Sequence, residues 1–589
     1  MVNPGDKVRM PQQFGRDTVE VVKRRCRPVE ESEGRYPALK PATIIHDGIR
    51  LDRDVAVKLS DGAVIYVDIY RPEGDARVPA ITAWSPFGKR CGERGMALPR
   101  GVPEGTLSPG TSFEAADPAY WCRFGYAVVN PDARGVASSE GDIEFWSSAE
   151  GRDAAQLIQW IGVQPWCTGK VGMSGNSWLA ITQWFAAAER PSHLACIAPW
   201  EGISDFYRDL AVRGGIPETG FVEFLVQRMF GAGFVDDVAT MAREHGFLDA
   251  YWRDKIAAVE KIEVPAYICA GWSQFFHLNG TLRAFRAITG ERKWLRAHRE
   301  FEWPDYYSAE NIRDLHLFFD RYLKEIRNGW EMTPRVRLDV MDRGDTDAVS
   351  RRAERDFPLP GTRYERWYLH AATATLSPRP SDATASVRYD AKSGQAIFEV
   401  KFDSEVEITG YLKLRLWVQA AGSQDMDLFV TVQKVDADGS VVPTMTLSRP
   451  HPGTIGMLRA SHRELDPQLS TEFEPVHRHQ SEQLLKADSI VPLDISIWPT
   501  SRQWHAGESL RLVIAGHHVL NEPGWDWFEK FDWETRNAGE HVLHMGDNHD
   551  SYLQLPVIPA RRPISFVEPY HRLVPGVRSS EGPGTYRWE

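Results

Sequence analysis

A serine set between a glycine and an apolar helix is the residue around which this sequence can do chemistry. Gly169 to Trp184 reads GKVGMSGNSWLAITQW: a short apolar strand runs up to Ser177, Gly175 sits just before it, and Trp178, Leu179 and Ile181 begin a helix at once. A hydroxyl on so sharp a strand-to-helix turn stands clear of its sheet, and small neighbours are needed because larger side chains collide across the turn. The N–H groups that open the helix face the same spot and can hold an oxyanion, with Trp178 supplying the first of them. Acyl transfer is the chemistry such an elbow serves. Ser174 lies too early, inside the strand.

A serine nucleophile needs a base, and in a fold of this kind the base follows the last strand of the sheet. His298 ends KWLRAH and meets that requirement, whereas His277 lies several residues beyond its own strand and fits it less well. The acid that orients the base belongs after the strand ending at Trp272. That segment, GWSQFFHLNGT, holds no carboxylate, and Gln274 stands nearest the position. An amide can fix the tautomer of an imidazole but cannot offset the charge of an imidazolium. Glu201, directly after the strand LACIAPW, is the candidate replacement from the neighbouring strand.

The elements that must hold these residues are legible in order. VAVKLS and AVIYVDIY alternate around Asp61-Gly62 as a hairpin, VPAITAWS and YAVVNPD are further strands, and Ala154–Trp166 has helical spacing. LACIAPW, PAYICAGW and KWLRAH are short buried strands between helices, which predicts an α/β fold with a largely parallel sheet covered on both faces. Residues 203–262 turn helical and read as a cap inserted between core segments 46–202 and 263–335. A long amphipathic helix over Asn311–Ile326 closes that core. From 336 to 561 the pattern becomes strand-like in YLKLRLWV, MDLFVTVQKV, IVPLDISIW and LRLVIAG, as in a β-sandwich. Residues 1–45 read as an arm on the surface and 562–589 as a tail.

Composition narrows the partners. The chain of 589 residues is too long for one core, and its 42% apolar and 25% charged residues are those of a water-soluble protein. A net charge of −12 disfavours nucleic acid and anionic membrane. There is neither a spanning apolar run nor a secretory leader, so a cytoplasmic location is expected. The six cysteines are scattered, which suits free thiols better than disulfides or a metal site. His477 and His479 share a strand face, but they have no carboxylate or Cys partner at ligand spacing and read as surface residues rather than metal ligands. No cofactor is implied, and homo-oligomerisation is left open.

Taken together, IYRP, SPFGK, PDARGVASSEG, QPWCTGKVGMSGNSWLAITQW, AGWSQ, ASHRELDP and IVPLDISIWPTSRQWHAG resemble the cocaine esterase and X-Pro dipeptidyl-peptidase group of α/β-hydrolases, the CocE/NonD hydrolases, over about residues 45 to 560. The resemblance implies an α/β-hydrolase domain with a cap, followed by a jelly-roll domain of galactose-binding type. It makes Ser177 the nucleophile and His298 the base. It also marks two departures. The family aspartate falls at Gln274, and the family tyrosine whose hydroxyl completes the oxyanion hole falls at Phe87, leaving Trp178 N–H and the backbone at Gly88. The reading that follows is hydrolysis of a small-molecule ester or amide. A non-hydrolytic enzyme of the same fold (an acyltransferase, lyase or cyclase) and a silent ligand-binding member stay open beside it.

Overall fold

The computed structural model describes residues 7–90, 99–274, 276–446, 449–451, 453–518 and 531–560. The first two strands, β1 (Lys7–Phe14) and β2 (Asp17–Arg25), pair antiparallel. The segment expected as an arm is therefore part of a small sheet.

The main sheet begins with β3 (Ala42–His46), β4 (Ile49–Lys58) and β5 (Val64–Pro72), joined as antiparallel neighbours. It continues through β6 (Val78–Thr82), helix α1 (Pro118–Arg123), β7 (Ala127–Asp132), helix α2 (Ser148–Gly162), β8 (Cys167–Asn176), helix α3 (Trp178–Ala188) and β9 (Leu194–Trp200). β5 pairs antiparallel with β7. From there the order β7-β6-β8-β9 is parallel throughout. Every residue of β6 and β7 is buried, as helices on both faces require. α2 starts six residues before the expected Ala154 because Ser147 caps it, its side chain accepting the Glu150 N–H.

The cap carries α4 (Gly220–Val226), strand β10 (Phe234–Asp236), α5 (Val238–Glu244) and α6 (Ala250–Asp254). It is thus not wholly helical, and β10 pairs with β2, fastening the N-terminal hairpin to the cap. The core resumes with β11 (Ala266–Gly271), α7 (Leu278–Ala287), β12 (Lys293–His298), α8 (Glu302–Tyr306), α9 (Ala309–Leu323) and β13 (Val336–Met341), and then β14 (Asp347–Glu354). β9, β11, β12 and β13 are consecutive parallel neighbours, and β14 closes the edge antiparallel. The C-terminal ends of β8, β9, β11 and β12 therefore lie side by side, which is where loops of an open α/β sheet form a site.

Beyond residue 360 the strands pair mainly antiparallel. Val406–Ala421 is their spine, bordered by Val491–Trp504, Glu540–Met545 and Tyr552–Ile558. They enclose a core of their own built on Leu412, Leu414, Leu416, Leu493, Ile495 and Leu553. Each such buried side chain contributes about 1.5–3 kcal/mol, which makes this core a stabilising element distinct from that of the first sheet. It reaches the cap where the Thr219 N–H meets the Asp532 carbonyl at 2.9 Å and the Asp532 N–H meets Glu218 Oε1 at 3.1 Å.

Among the described residues no helix is long and apolar enough to cross a membrane. The described cysteines, Cys26, Cys122, Cys167, Cys196 and Cys269, are free and buried. The tail, Cys91 and most of the tryptophan-rich EPGWDWFEKFDW lie outside the described residues.

Candidate active site

Ser177 sits between β8 and α3 with φ 53° and ψ −121°. That left-handed backbone is costly for a residue with a side chain, and it persists where the surroundings enforce it. Here the Ser177 N–H is held by the carbonyls of Glu201 at 3.1 Å and Trp200 at 3.3 Å, both at the end of β9. Gly175 has φ 134°, and a Cβ there would lie 2.7 Å from Leu179 Cβ, so the turn closes only over glycine. The Ser177 hydroxyl makes no hydrogen bond to any described residue, while Trp178 opens α3 beside it. Ser174 is buried in β8 and bonded to the Tyr306 hydroxyl at 2.7 Å. Its hydroxyl is already engaged.

Trp178 is fixed by its indole N–H, which donates to Glu150 Oε1 at 2.9 Å. The Phe87 ring stands 6.2 Å from that of Trp178 and 5.2 Å from that of Phe113. Phe87 therefore sets a ring without a hydroxyl beside Trp178, and its own N–H is turned to Ser85 Oγ at 3.1 Å. Gly88 has φ 95°, and a Cβ there would meet Tyr36 Cε1 at 2.5 Å.

The residues expected to serve Ser177 divide into two clusters. In the first, His298 at the end of β12 directs Nε2 to Glu201 Oε1 at 3.1 Å and Asp305 Oδ2 at 3.3 Å, and Nδ1 faces the Glu300 carbonyl at 3.1 Å. Glu201 and His298 are thus brought together, as the search for a replacement acid anticipated. Neither ring nitrogen is bonded to Ser177: Nδ1 faces the Glu300 carbonyl, and Nε2 stands within ion-pair reach of the two carboxylates without a hydrogen bond. Arg296 completes the group, its Nη1 donating to Asp305 Oδ1 at 2.7 Å. Burial works against a charged His298, but Asp305 and Glu201 outweigh it and raise its pKa, with Arg296 opposing. Burial likewise penalises Asp305, yet Arg296 and His298 hold its carboxyl below the usual range. Gln274 is buried with neither amide atom bonded. It packs where Glu201 passes: a Cβ on Gly271 would lie 2.7 Å from Glu201 Oε2 and 3.1 Å from Gln274 Cγ.

The second cluster joins His277, the lesser candidate base, to two glutamates that the sequence did not single out. Glu302, first residue of α8, places Oε2 3.7 Å from Nε2 of His277, the residue that precedes α7. Both are buried, and neither imidazole nitrogen of His277 is hydrogen-bonded. Glu114 joins from the loop before α1, with Oε1 taking the Trp303 indole N–H at 2.8 Å. Both glutamates border the elbow through their backbones. The Glu114 carbonyl accepts the Asn176 N–H at 3.2 Å, and the Glu302 carbonyl lies 3.5 Å from Asn176 Nδ2. Burial, with the charge of Glu201 added and the Trp303 bond opposing, lifts the Glu114 carboxyl to about 8. Burial followed by the charges of Glu114 and Glu201 pushes Glu302 well above the carboxylate range, and burial alone drops His277 to about 3. A signal for Glu302 existed, since it lies four positions past His298 in the loop where the fold seats its base. Glu114 sits in a stretch without periodicity and carried none.

Comparison with known proteins fits this geometry. Residues 61–232 match the model of the X-Pro dipeptidyl-peptidase S15 family, and residues 328–554 match its C-terminal non-catalytic domain. A Mycobacterium bovis protein named as a serine esterase is 34% identical, the alignment covering 78% of this chain and 89% of that protein. A crystal structure of a CocE/NonD family hydrolase from Staphylococcus aureus superposes with a TM-score of 0.82 at 32% identity, covering 88% of this chain and 96% of that one. This chain belongs to the CocE/NonD family. The cocaine esterase of Rhodococcus sp. is 25% identical over 86% of this chain and 98% of its own length. An α-amino acid ester hydrolase, at 16% identity and a TM-score of 0.63, shares the fold. As a CocE/NonD protein with esterase and peptidase relatives, the chain is a serine hydrolase, with an α/β-hydrolase-like domain followed by a non-catalytic one.

No group of three or more His, Cys, Asp or Glu among the described residues is arranged to hold a metal ion. His477 and His479 are buried rather than on the surface, and His479 Nδ1 meets His462 Nδ1 at 2.9 Å.

Proposed function

We propose that the protein cleaves a small-molecule ester or amide through an acyl-enzyme on Ser177, with the Trp178 N–H holding the oxyanion. The observation that carries this reading is the left-handed Ser177 at the β8–α3 turn, its hydroxyl unbonded to any described residue and set at the start of a helix. Substrate carbonyl carbon would bond to Oγ, the developing negative charge would meet the end of α3, and water would release the acyl group. The substrate we favour carries an aromatic group. Phe87, Phe113, Trp178 and Trp303 form a chain of ring contacts beside the elbow, and Phe276 lies tilted against both the His277 ring at 3.9 Å and Phe221 at 5.2 Å. An ester is favoured over a peptide because the relative at 34% identity is named as an esterase. For the second domain we keep the jelly-roll reading, with its Phe531 ring, stacked 5.0 Å from Phe221, walling the cap.

Labelling with a fluorophosphonate tests the nucleophile. Stoichiometric label mapped to the Ser177 peptide, absent in Ser177→Ala, is the expected result, followed by turnover of aryl esters above alkyl amides. A folded protein that takes no label would remove Ser177 from the reaction.

A further inference from the structure

We infer that the seam between the cap and the second domain holds a binding site for a short hydroxycarboxylate, formed by Arg208, Arg213, Asn279, Arg283 and His477. The site is independent of the chemistry at Ser177.

The seam is closely packed. A Cβ on Gly214 would lie 2.3 Å from the Met457 carbonyl oxygen, and one on Gly215 would lie 2.6 Å from His462 Cγ. Beside this contact the walls part around a cavity of about 60 Å³, lined by Arg208 and Arg213 of the cap, Asn279 and Arg283 of α7, and His477 and Trp498 of the second domain. Protein interiors keep few voids larger than one water, and a polar one of this size is filled by water or by a ligand. At about 10–15 Å³ for each water-sized probe, it has room for a molecule of roughly four to six non-hydrogen atoms.

The donors on its wall suit an anion. Arg208 Nη1 is held by Asp205 Oδ2 at 2.7 Å, and Arg283 by both oxygens of Asp209 at 3.0 Å. Glu474 is taken by Arg286. The Arg213 guanidinium lies 3.7 Å over the Trp498 ring and donates to the Ile455 carbonyl at 2.9 Å. Among the described residues four arginines, Arg286 included, thus stand against three acids around a buried space. Burial pulls Arg213 down to about 9, with the charge of Asp209 opposing, so an anion in the cavity would stabilise its charged form. A guanidinium presents its N–H groups in one plane, which matches the two oxygens of a carboxylate.

The acceptors on the wall ask for more than an anion. Asn279 Oδ1 and His477 Nε2 are buried and make no hydrogen bond to any described residue. Burial, reinforced by the charge of Arg208, drops His477 to about 3, so its ring is neutral and can accept a hydrogen bond. Buried acceptors left unmet are costly, and a ligand hydroxyl can meet one where a bare carboxylate cannot. An oxyanion for the arginines and an O–H for Asn279 together specify a short hydroxycarboxylate, of the size of glycolate or lactate.

Helix α7 stands between this cavity and the elbow. Thr281 faces the elbow, its Oγ1 receiving the Gly202 N–H at 3.0 Å next to the Glu201 carbonyl that holds Ser177. Asn279 and Arg283 lie two positions to either side of Thr281, about 200° round the helix, and so leave its other face. The cavity is therefore a second site rather than an extension of the first.

The test is isothermal titration calorimetry of the full chain with glycolate, lactate and acetate, for the wild type, Arg213→Gln, Asn279→Leu and Ser177→Ala, with thermal melting to show that each is folded. Glycolate or lactate should bind the wild type with a Kd of about 1 mM or tighter, and at least about tenfold more tightly than acetate. Asn279→Leu should bring the hydroxy acid down to the level of acetate, a loss of preference that a merely structural asparagine would not produce. Arg213→Gln should weaken both ligands by about tenfold or more. Ser177→Ala should bind as the wild type does, whether or not Ser177 proves to be the nucleophile. No saturable binding of either hydroxy acid, or equal binding of acetate, would overturn the proposal. Loss of binding in Ser177→Ala would overturn it too, by assigning the ligand to the elbow. Should Arg213→Gln not fold, Asn279→Leu decides: an unchanged preference for the hydroxy acid rejects the site.

Discussion

His277 and His298 are buried to the same degree, lie at adjacent strand ends of one sheet, and have opposite electrostatic lives. His298 is ringed by Asp305, Glu201 and Arg296, and its charged form is favoured. His277 has one acid at 3.7 Å and the Phe276 ring at 3.9 Å, and burial strongly disfavours its charged form. Burial alone therefore says nothing about what a histidine does; the charge it faces decides. One of the pair is held charged by its neighbours and the other is held neutral by burial.

The comparison breaks most sharply if the His298 cluster loses a carboxylate. Asp305→Asn takes the carboxylate from Arg296 and His298 and leaves the guanidinium buried beside a neutral amide. Stripping one partner from a buried pair costs about 3–5 kcal/mol. Urea unfolding should show a loss of that order, and a loss below about 1 kcal/mol would mean that the cluster does not brace β12.

A smaller effect separates the two histidines by pH. His298 has a folded pKa raised above its unfolded value, so its contribution is fully present below the unfolded pKa and is lost as pH rises through the folded one. His277 has a folded pKa near 3 against an ordinary 6.5, so the unfolded chain binds its proton first and stability falls as pH drops from 6.5 towards 3. The slope from one such group is at most about 1.4 kcal/mol per pH unit. Measured between pH 7 and 5, His277→Gln should lose less stability than the wild type, and His298→Gln should lose more. Parallel pH dependence in all three would show that the two environments do not differ as described.

Much of this was legible before the structure. The elbow, the parallel strands around it and the change to antiparallel strands past residue 336 follow from apolar runs, glycine placement and alternation. Glu201 reaches His298 although β11 lies between their strands, because Gly271 at the end of β11 leaves room for the Glu201 carboxylate to cross. What stayed hidden has a common cause. Glu302 opens a helix, and side-chain direction at a helix start depends on how that helix leaves the sheet, which no local pattern records. Glu114 reaches the elbow through its carbonyl, from a loop whose path is set by tertiary contacts alone. The N-terminal hairpin was missed because its edge partner, β10, lies about 210 residues further along the chain.

The smallest effect concerns the oxyanion rather than the base. Phe87 falls where the resemblance places the family tyrosine, its ring 6.2 Å from Trp178, and on the proposed reading the Trp178 N–H would act without that second donor. Removing such a donor from an enzyme that has it costs about 10²–10³-fold. Installing one by Phe87→Tyr recovers less, because the surrounding rings, Phe113 above all, were packed without it; an increase of about tenfold in aryl ester turnover is expected. A rise in kcat with KM unchanged would place the new hydroxyl at the oxyanion and mark this hydrolase as one running on a reduced hole. A fall in rate would mean instead that the ring face at Phe87 binds substrate, and that aromatic contact has been kept here in place of a hydrogen bond. The two outcomes differ in sign, so a single steady-state comparison decides which interaction the elbow uses. If the ring face is the answer, the same substitution should raise KM for aryl esters more than for alkyl esters, since only the former lose a stacking partner.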